Sequence, residues 1–213
     1  CAKLSNITVL FVQNNEWNQF IRSCIPALSS PIILVTGQWH LPQIHPDRDS
    51  ESILANPNII HWFSQNPIYN HEKYTAIPYG ILREMLPSFS RAVWDSRNES
   101  KSVNVQHLGM KMTHPERKKL PAAATLEAGL YLREIAKSYF MISPMGDRPD
   151  SYRHWESIGL NTVPICNCPD RYKQLFGDRM LFMQIDEMVE VIQQHREIKR
   201  ESLELDRDIL STG

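Results

Sequence analysis

Tyr139-Phe140-Met141-Ile142-Ser143-Pro144-Met145-Gly146-Asp147-Arg148-Pro149-Asp150-Ser151-Tyr152-Arg153-His154-Trp155-Glu156 is the stretch on which the reading of this chain turns. Tyr139 to Ser143 reads as a buried strand, Pro144 to Pro149 as a loop, and a helix follows, capped by Asp150 or Ser151. In parallel sheets ligands bind at the carboxyl ends of the strands. A helix N-terminus adds unpaired N–H groups and a partial positive charge that suit a phosphate. Gly146 lets the backbone come close to such a group, since no side chain intervenes. Arg153 in the first turn and Glu156 three residues on share a helix face. A guanidinium binds a diphosphate in bidentate fashion, and a carboxylate accepts two hydrogen bonds from the paired hydroxyls of a ribose. The same spacing also describes an ordinary exposed ion pair. Tyr152, Trp155 and Ile158 are predicted to face the sheet, and His154 to point off the Arg/Glu face.

Working outward, the second half repeats the strand–helix alternation. Ser102 to Leu108 is a strand with Val103 and Val105 alternating with polar neighbours. Thr113-His114-Pro115 turns the chain into Arg117-Lys118-Lys119, and Ala122 to Lys137 is a helix with a stripe of Ala128, Leu132, Ile135 and Ala136. Val163 to Cys166 and Met180 to Ile185 are strands, and Asp186 caps a final charged helix. In the first half Ile7 to Val12 is a strand. A helix follows from Asn14 or Asn15, burying Trp17, Phe20, Ile21, Cys24 and Ile25, and Ile32 to Thr36 completes a β-α-β unit. Gly37 to Ser50 reads as an exposed loop, and Ile59 to Phe63 and Thr75 to Ile77 as short strands. Pro87 to Ser102, rich in Ser, Arg and Asn, reads as a link, which divides the chain into residues 1–95 and 96–213. The fold class is α/β with parallel sheets.

Composition narrows the function classes. With 23 basic against 24 acidic residues, no surplus charge points to nucleic acid or an anionic membrane. No apolar run reaches the roughly 20 residues that span a bilayer. The chain starts at Cys1 rather than Met, so an upstream signal or anchor is compatible with it. The sequons at Asn6 and Asn98 permit a secretory setting. Cys166 and Cys168 are one residue apart, a poor match to zinc spacing with no matching pair elsewhere, so no metal site is assigned. No Gly-x-Gly-x-x-Gly follows a strand and no Gly-x-Ser-x-Gly occurs, which disfavours dinucleotide binding and an α/β-hydrolase.

The segment from Ser143 to Ile165 resembles the exostosin-like glycosyltransferases through Ser143, Pro144, Gly146, Asp150, Tyr152, Arg153, Trp155, Glu156, Val163, Pro164 and Ile165. The family's glycine before the last strand is replaced by Asn161, the next-best residue for a left-handed helix cap. Weaker similarity covers Trp62 to Gly80 and Arg117. The resemblance implies a GT-B-like fold of two Rossmann-like lobes, here with a small first lobe on the acceptor side and a second lobe that binds the donor. It further implies transfer of a sugar, with inversion, from a nucleoside-diphosphate donor to a carbohydrate or glycoconjugate hydroxyl. No cofactor or metal is required, and the setting is the secretory pathway or Golgi lumen if an anchor precedes the chain.

On this reading Arg153, Glu156, Gly146, Arg117 and Lys118 bind the donor, and Asp147 or His71 serves as the base that an inverting transfer needs. His40, His45 and His61 have no better claim to that role. The alternatives are a non-catalytic nucleotide- or carbohydrate-binding protein that retains the donor cleft, and a Rossmann-like protein of unrelated chemistry.

Overall fold

In a computed structural model, residues 8–38 and 42–194 are described. Cys1, Asn6 and His40 lie outside them. The chain divides into two compact units, Cys1–Tyr79 and Gly80–Gly213.

The first unit holds four strands, β1 (Thr8–Gln13), β2 (Ile32–Gly37), β3 (Ile59–Ser64) and β4 (Tyr74–Ala76), all parallel and in the order β1-β2-β3-β4. Residues 14–27 form one irregular helical run that includes the short α1 (Trp17–Gln19). Pro26 ends it in a tight turn, since proline cannot donate to a continuing helix. Trp17, Phe20, Ile32, Leu34, Ile53, Ile59 and Trp62 make the core. Cys24 packs against its margin, as the helical period predicts. Trp62 satisfies its indole N–H on Thr36 Oγ1 at 2.9 Å, which lets an aromatic with a polar atom sit at the centre.

The expected loop Gly37 to Ser50 ends in a helix instead, α2 (Arg48–Ala55). Asp47 and Ser50 form a reciprocal capping box: Ser50 N donates to Asp47 Oδ1 (2.7 Å) and Asp47 N to Ser50 Oγ (3.0 Å).

The second unit opens with α3 (Leu86–Asp95), where the sequence suggested a link. Pro87 sits in the first turn, where its missing N–H costs nothing, and Phe89, Ala92 and Val93 pack against the Leu132/Ile135 core. The division between units therefore falls at Tyr79/Gly80 rather than between residues 95 and 96, because this apolar helix face belongs to the second core.

The strands β5 (Val103–Gln106), β6 (Ser138–Ile142), β7 (Val163–Cys166) and β8 (Leu181–Phe182) are again parallel and in chain order. Among the described residues neither sheet reverses its strand order, so they form no switch-point crevice of the doubly wound kind. What remains for a site is the set of loops that leave the carboxyl ends of the strands.

The helix expected from Ala122 begins only at α4 (Ala128–Ala136), where Glu127 accepts from Gly129 N and Leu130 N. α5 (Tyr152–Gly159) follows β6, with Ser151 rather than Asp150 at the cap position. Its buried residues are His154, Glu156 and Ser157, not the expected Tyr152, Trp155 and Ile158. The helix is thus rotated so that its polar side chains face inward. Asn161 ends it at φ 56°, the left-handed conformation anticipated for it. The short α6 (Lys173–Phe176) and the final α7 (Ile185–Gln194) complete the unit.

Candidate functional site

Arg153 and Glu156 both turn inward, but they do not pair with each other; Tyr131 of α4 stands between them. Its hydroxyl donates to Glu156 Oε2 at 2.8 Å, and the Arg153 guanidinium lies 5.1 Å from its ring centroid. Arg153 Nη2 donates to Gly109 O at 2.9 Å, just past the carboxyl end of β5, while Nη1 is buried without a partner among the described residues. Glu156 is only 5% exposed. Burial pushes its carboxyl pKa up, and the Tyr131 hydrogen bond and the Arg153 charge pull it partly back. Oε1 takes no hydrogen bond from the described residues.

Arg117 is nearly as buried, at 7% exposed. Its Nε donates to Met145 O (2.9 Å), Nη1 to Lys111 O (2.6 Å) and Thr113 Oγ1 (3.2 Å), and Nη2 to Pro144 O (2.8 Å). The guanidinium therefore ties two loops together through their own carbonyls, and the diphosphate-binding role expected of it is filled by structural contacts. Its pKa is lowered, first by burial and then by the nearby Arg153. His107 is lowered for the same two reasons. Two guanidiniums thus share one small region, an arrangement that favours an anion, while the lowered pKa of His107 favours its neutral imidazole.

His107, Gly109, Met110, Arg117 and Thr125 help to line a cavity of about 200 Å³ there. That is the scale of a phosphate group rather than of a whole nucleotide sugar, since small-molecule pockets run to roughly 300–1,000 Å³.

Gly146 is buried, and its N–H donates to Arg148 O at 2.9 Å. A Cβ there would stand 2.9 Å from Thr113 Oγ1 and 3.0 Å from Arg117 Nη2. The glycine is thus needed for the loop to close on Arg117, a different use from the ligand approach expected of it. Lys118 is exposed on the turn Pro115–Lys119. Asp147 is exposed at the loop tip. His71, in the first unit, is exposed as well, and its Nδ1 accepts from Lys73 N at 3.0 Å within a local turn. Among the donor residues named from sequence, only Arg153 and Glu156 converge, with Arg117 beside them as a support.

Sequence reasoning missed Tyr131 and His107. Tyr131 adjoins the apolar stripe of its helix, where a hydroxyl with a buried partner leaves no periodic signature.

It also gave no partners to His154, which is fully buried. One ring nitrogen, Nε2, meets Ser143 O at 2.9 Å, and Nδ1 accepts from Ser151 N at 3.3 Å. Asp150 Oδ1 lies 3.8 Å from Nδ1 and takes the Trp155 indole N–H at 2.7 Å. Cys166 and Cys168 reach the same spot: their sulfurs and a ring nitrogen of His154 all lie within 4.8 Å of one another.

No family model matches the chain, and a search of curated proteins finds no significant relative.

Proposed function

We propose that this protein is a glycosyltransferase, or the donor-binding part of one, that takes a nucleoside-diphosphate sugar as donor and a carbohydrate hydroxyl as acceptor. The observation that carries the reading is the Arg153–Tyr131–Glu156 group, in which the buried Nη1 and the Glu156 Oε1 take no hydrogen bond among the described residues, beside the loop that leaves β5. Nη1 is the donor for a pyrophosphate oxygen, and the neighbouring positive groups favour that charge. Oε1 is the acceptor for a ribose hydroxyl. The cavity beside Arg117 adjoins this group through Gly109, whose carbonyl Arg153 holds, while Arg153, Tyr131 and Glu156 do not themselves line it. Arg117 acts as a positioning residue that fixes the loop 144–146.

Isothermal titration of the chain with nucleoside diphosphates and their sugars tests this. Wild type is expected to bind a ribonucleotide more tightly than its 2′-deoxy analogue, and Glu156→Ala to lose that preference. Arg153→Ala is expected to weaken both ligands together. If wild type binds none of them, the reading is lost.

A second reading, nucleotide binding without transfer, rests on the nominated bases. Asp147 and His71 sit on exposed turns in different units. Binding with no sugar transfer to any tested acceptor would favour it.

A further inference from the structure

We propose that His154, Cys166 and Cys168 form a site for a thiophilic divalent cation of the zinc class, built from side chains other than those of the donor site. The three side chains are 0%, 0% and 6% exposed, and their ligand atoms all lie within 4.8 Å of one another. Tetrahedral zinc with bonds of about 2.3 Å to sulfur and 2.0–2.1 Å to nitrogen sets its ligand atoms about 3.5–3.8 Å apart. The cluster thus needs only a small contraction to close around an ion.

The fold supplies the donors from two neighbouring places. Cys166 ends β7 and Cys168 follows two residues on, while His154 enters from the first turn of α5 over the end of β6. The separation of Cys166 and Cys168 by one residue is poor as a linear zinc motif, but the third ligand comes from twelve residues upstream and the two sulfurs need not provide a chelate alone. Sulfur and imidazole donors select zinc-class ions over magnesium or calcium, which prefer oxygen.

The surroundings fit a ligating histidine. Both ring nitrogens now have backbone partners, Ser143 O and Ser151 N–H. A metal would take one nitrogen and leave the other hydrogen bond to orient the ring, as second-shell carbonyls do at histidine sites. Asp150, with Oδ1 3.8 Å from Nδ1, is the neighbouring carboxylate. Ser143, whose carbonyl holds the imidazole, has a buried hydroxyl without a partner. Binding would replace two S–H bonds by two metal–sulfur bonds and release two protons to solvent. It would also displace the present contact of Cys168 Sγ with Pro149 O (3.0 Å). Two thiolates would neutralise the divalent ion, so the buried site would gain no net charge.

The test uses the full chain, reduced and freed of metal, titrated with Co²⁺ and then Zn²⁺. One equivalent of Co²⁺ is expected to give the thiolate-to-cobalt charge-transfer band, and Zn²⁺ to bleach it. Cys166→Ser and Cys168→Ser should each weaken binding at least tenfold, while Cys24→Ser leaves it unchanged. X-ray absorption of the zinc-loaded wild type covers the case in which the serine variants fail to fold. Two sulfurs at about 2.3 Å with a histidine nitrogen are expected there. A first shell of nitrogen and oxygen only, no charge-transfer band, or a band that survives both serine substitutions would overturn the proposal. None of these readouts depends on nucleotide binding, so this inference and the donor-site reading fail separately.

Discussion

Tyr131 shows how much a single unremarked residue can decide. Glu156 sets a carboxyl group in a nearly closed environment, where burial raises its pKa and the Tyr131 hydroxyl and the Arg153 charge pull it partly back. Tyr131→Phe removes the hydroxyl but not the ring beneath Arg153, so it isolates the hydrogen bond. A buried group stripped of its partner costs about 1–3 kcal/mol. The expected result is a loss of that size in urea unfolding. The loss should shrink by more than half when Tyr131→Phe is made in a Glu156→Gln background, where the carboxyl that the hydroxyl meets is gone. Equal losses in the two backgrounds would mean that the hydroxyl acts through something other than Glu156.

Elements here owe their ends to a few side chains with definite geometry. Asn161 stops α5 by entering the left-handed region at φ 56°, and it is exposed, so its side chain does little else. Glycine adopts that conformation without strain, whereas a Cβ-bearing residue that cannot bond locally pays roughly 1–2 kcal/mol. Asn161→Gly is therefore expected to leave the melting temperature unchanged or raise it, and Asn161→Ala to lower stability by about 1 kcal/mol. If thermal unfolding ranks the two the other way, the cap is not what ends the helix. The Asp47/Ser50 box has the same status at the start of α2. Both signals stand in the sequence, but Asn161 follows a clear helical stretch, whereas Asp47 and Ser50 lie in a polar, proline-bearing one that reads as a loop.

At the scale of the molecule, two parallel sheets carry separate cores, and one group in the first makes stability depend on alkaline pH. Tyr74 is packed edge-on against Trp62 at 5.1 Å, its hydroxyl donates to Asn66 O, and its pKa is raised from 10.0 to about 12, chiefly by burial. Below pH 10 folded and unfolded chains both keep the phenol proton, and the stabilisation is complete. Between pH 10 and about 12 the unfolded chain ionises while the folded one does not, so stability falls as pH rises. A shift of that size corresponds to roughly 2–3 kcal/mol. Denaturation followed by tryptophan fluorescence should show this decline in wild type, and Tyr74→Phe should make it shallower, with Tyr131 supplying the remaining slope, while costing stability at neutral pH. An unchanged alkaline slope in the variant would remove Tyr74 from the account.

The sequence by itself determined the α/β class, the parallel strands and their approximate places, and the left-handed turn at Asn161. These rest on local properties: apolar runs such as Ile32 to Thr36, the helical period of Trp17, Phe20 and Cys24, and the backbone tolerance of asparagine. It also singled out Arg153 and Glu156, since a three-residue spacing is fixed by helix geometry alone. What only the tertiary structure decided was which way that helix turns, and so whether the pair is exposed or buried. It likewise decided that Arg117 closes on loop carbonyls, that α3 joins the second core, and that Cys166 and Cys168 meet His154. Each of these depends on groups brought together from distant parts of the chain by sheet register and helix rotation. A periodicity in one strand or helix carries no record of what will stand opposite it.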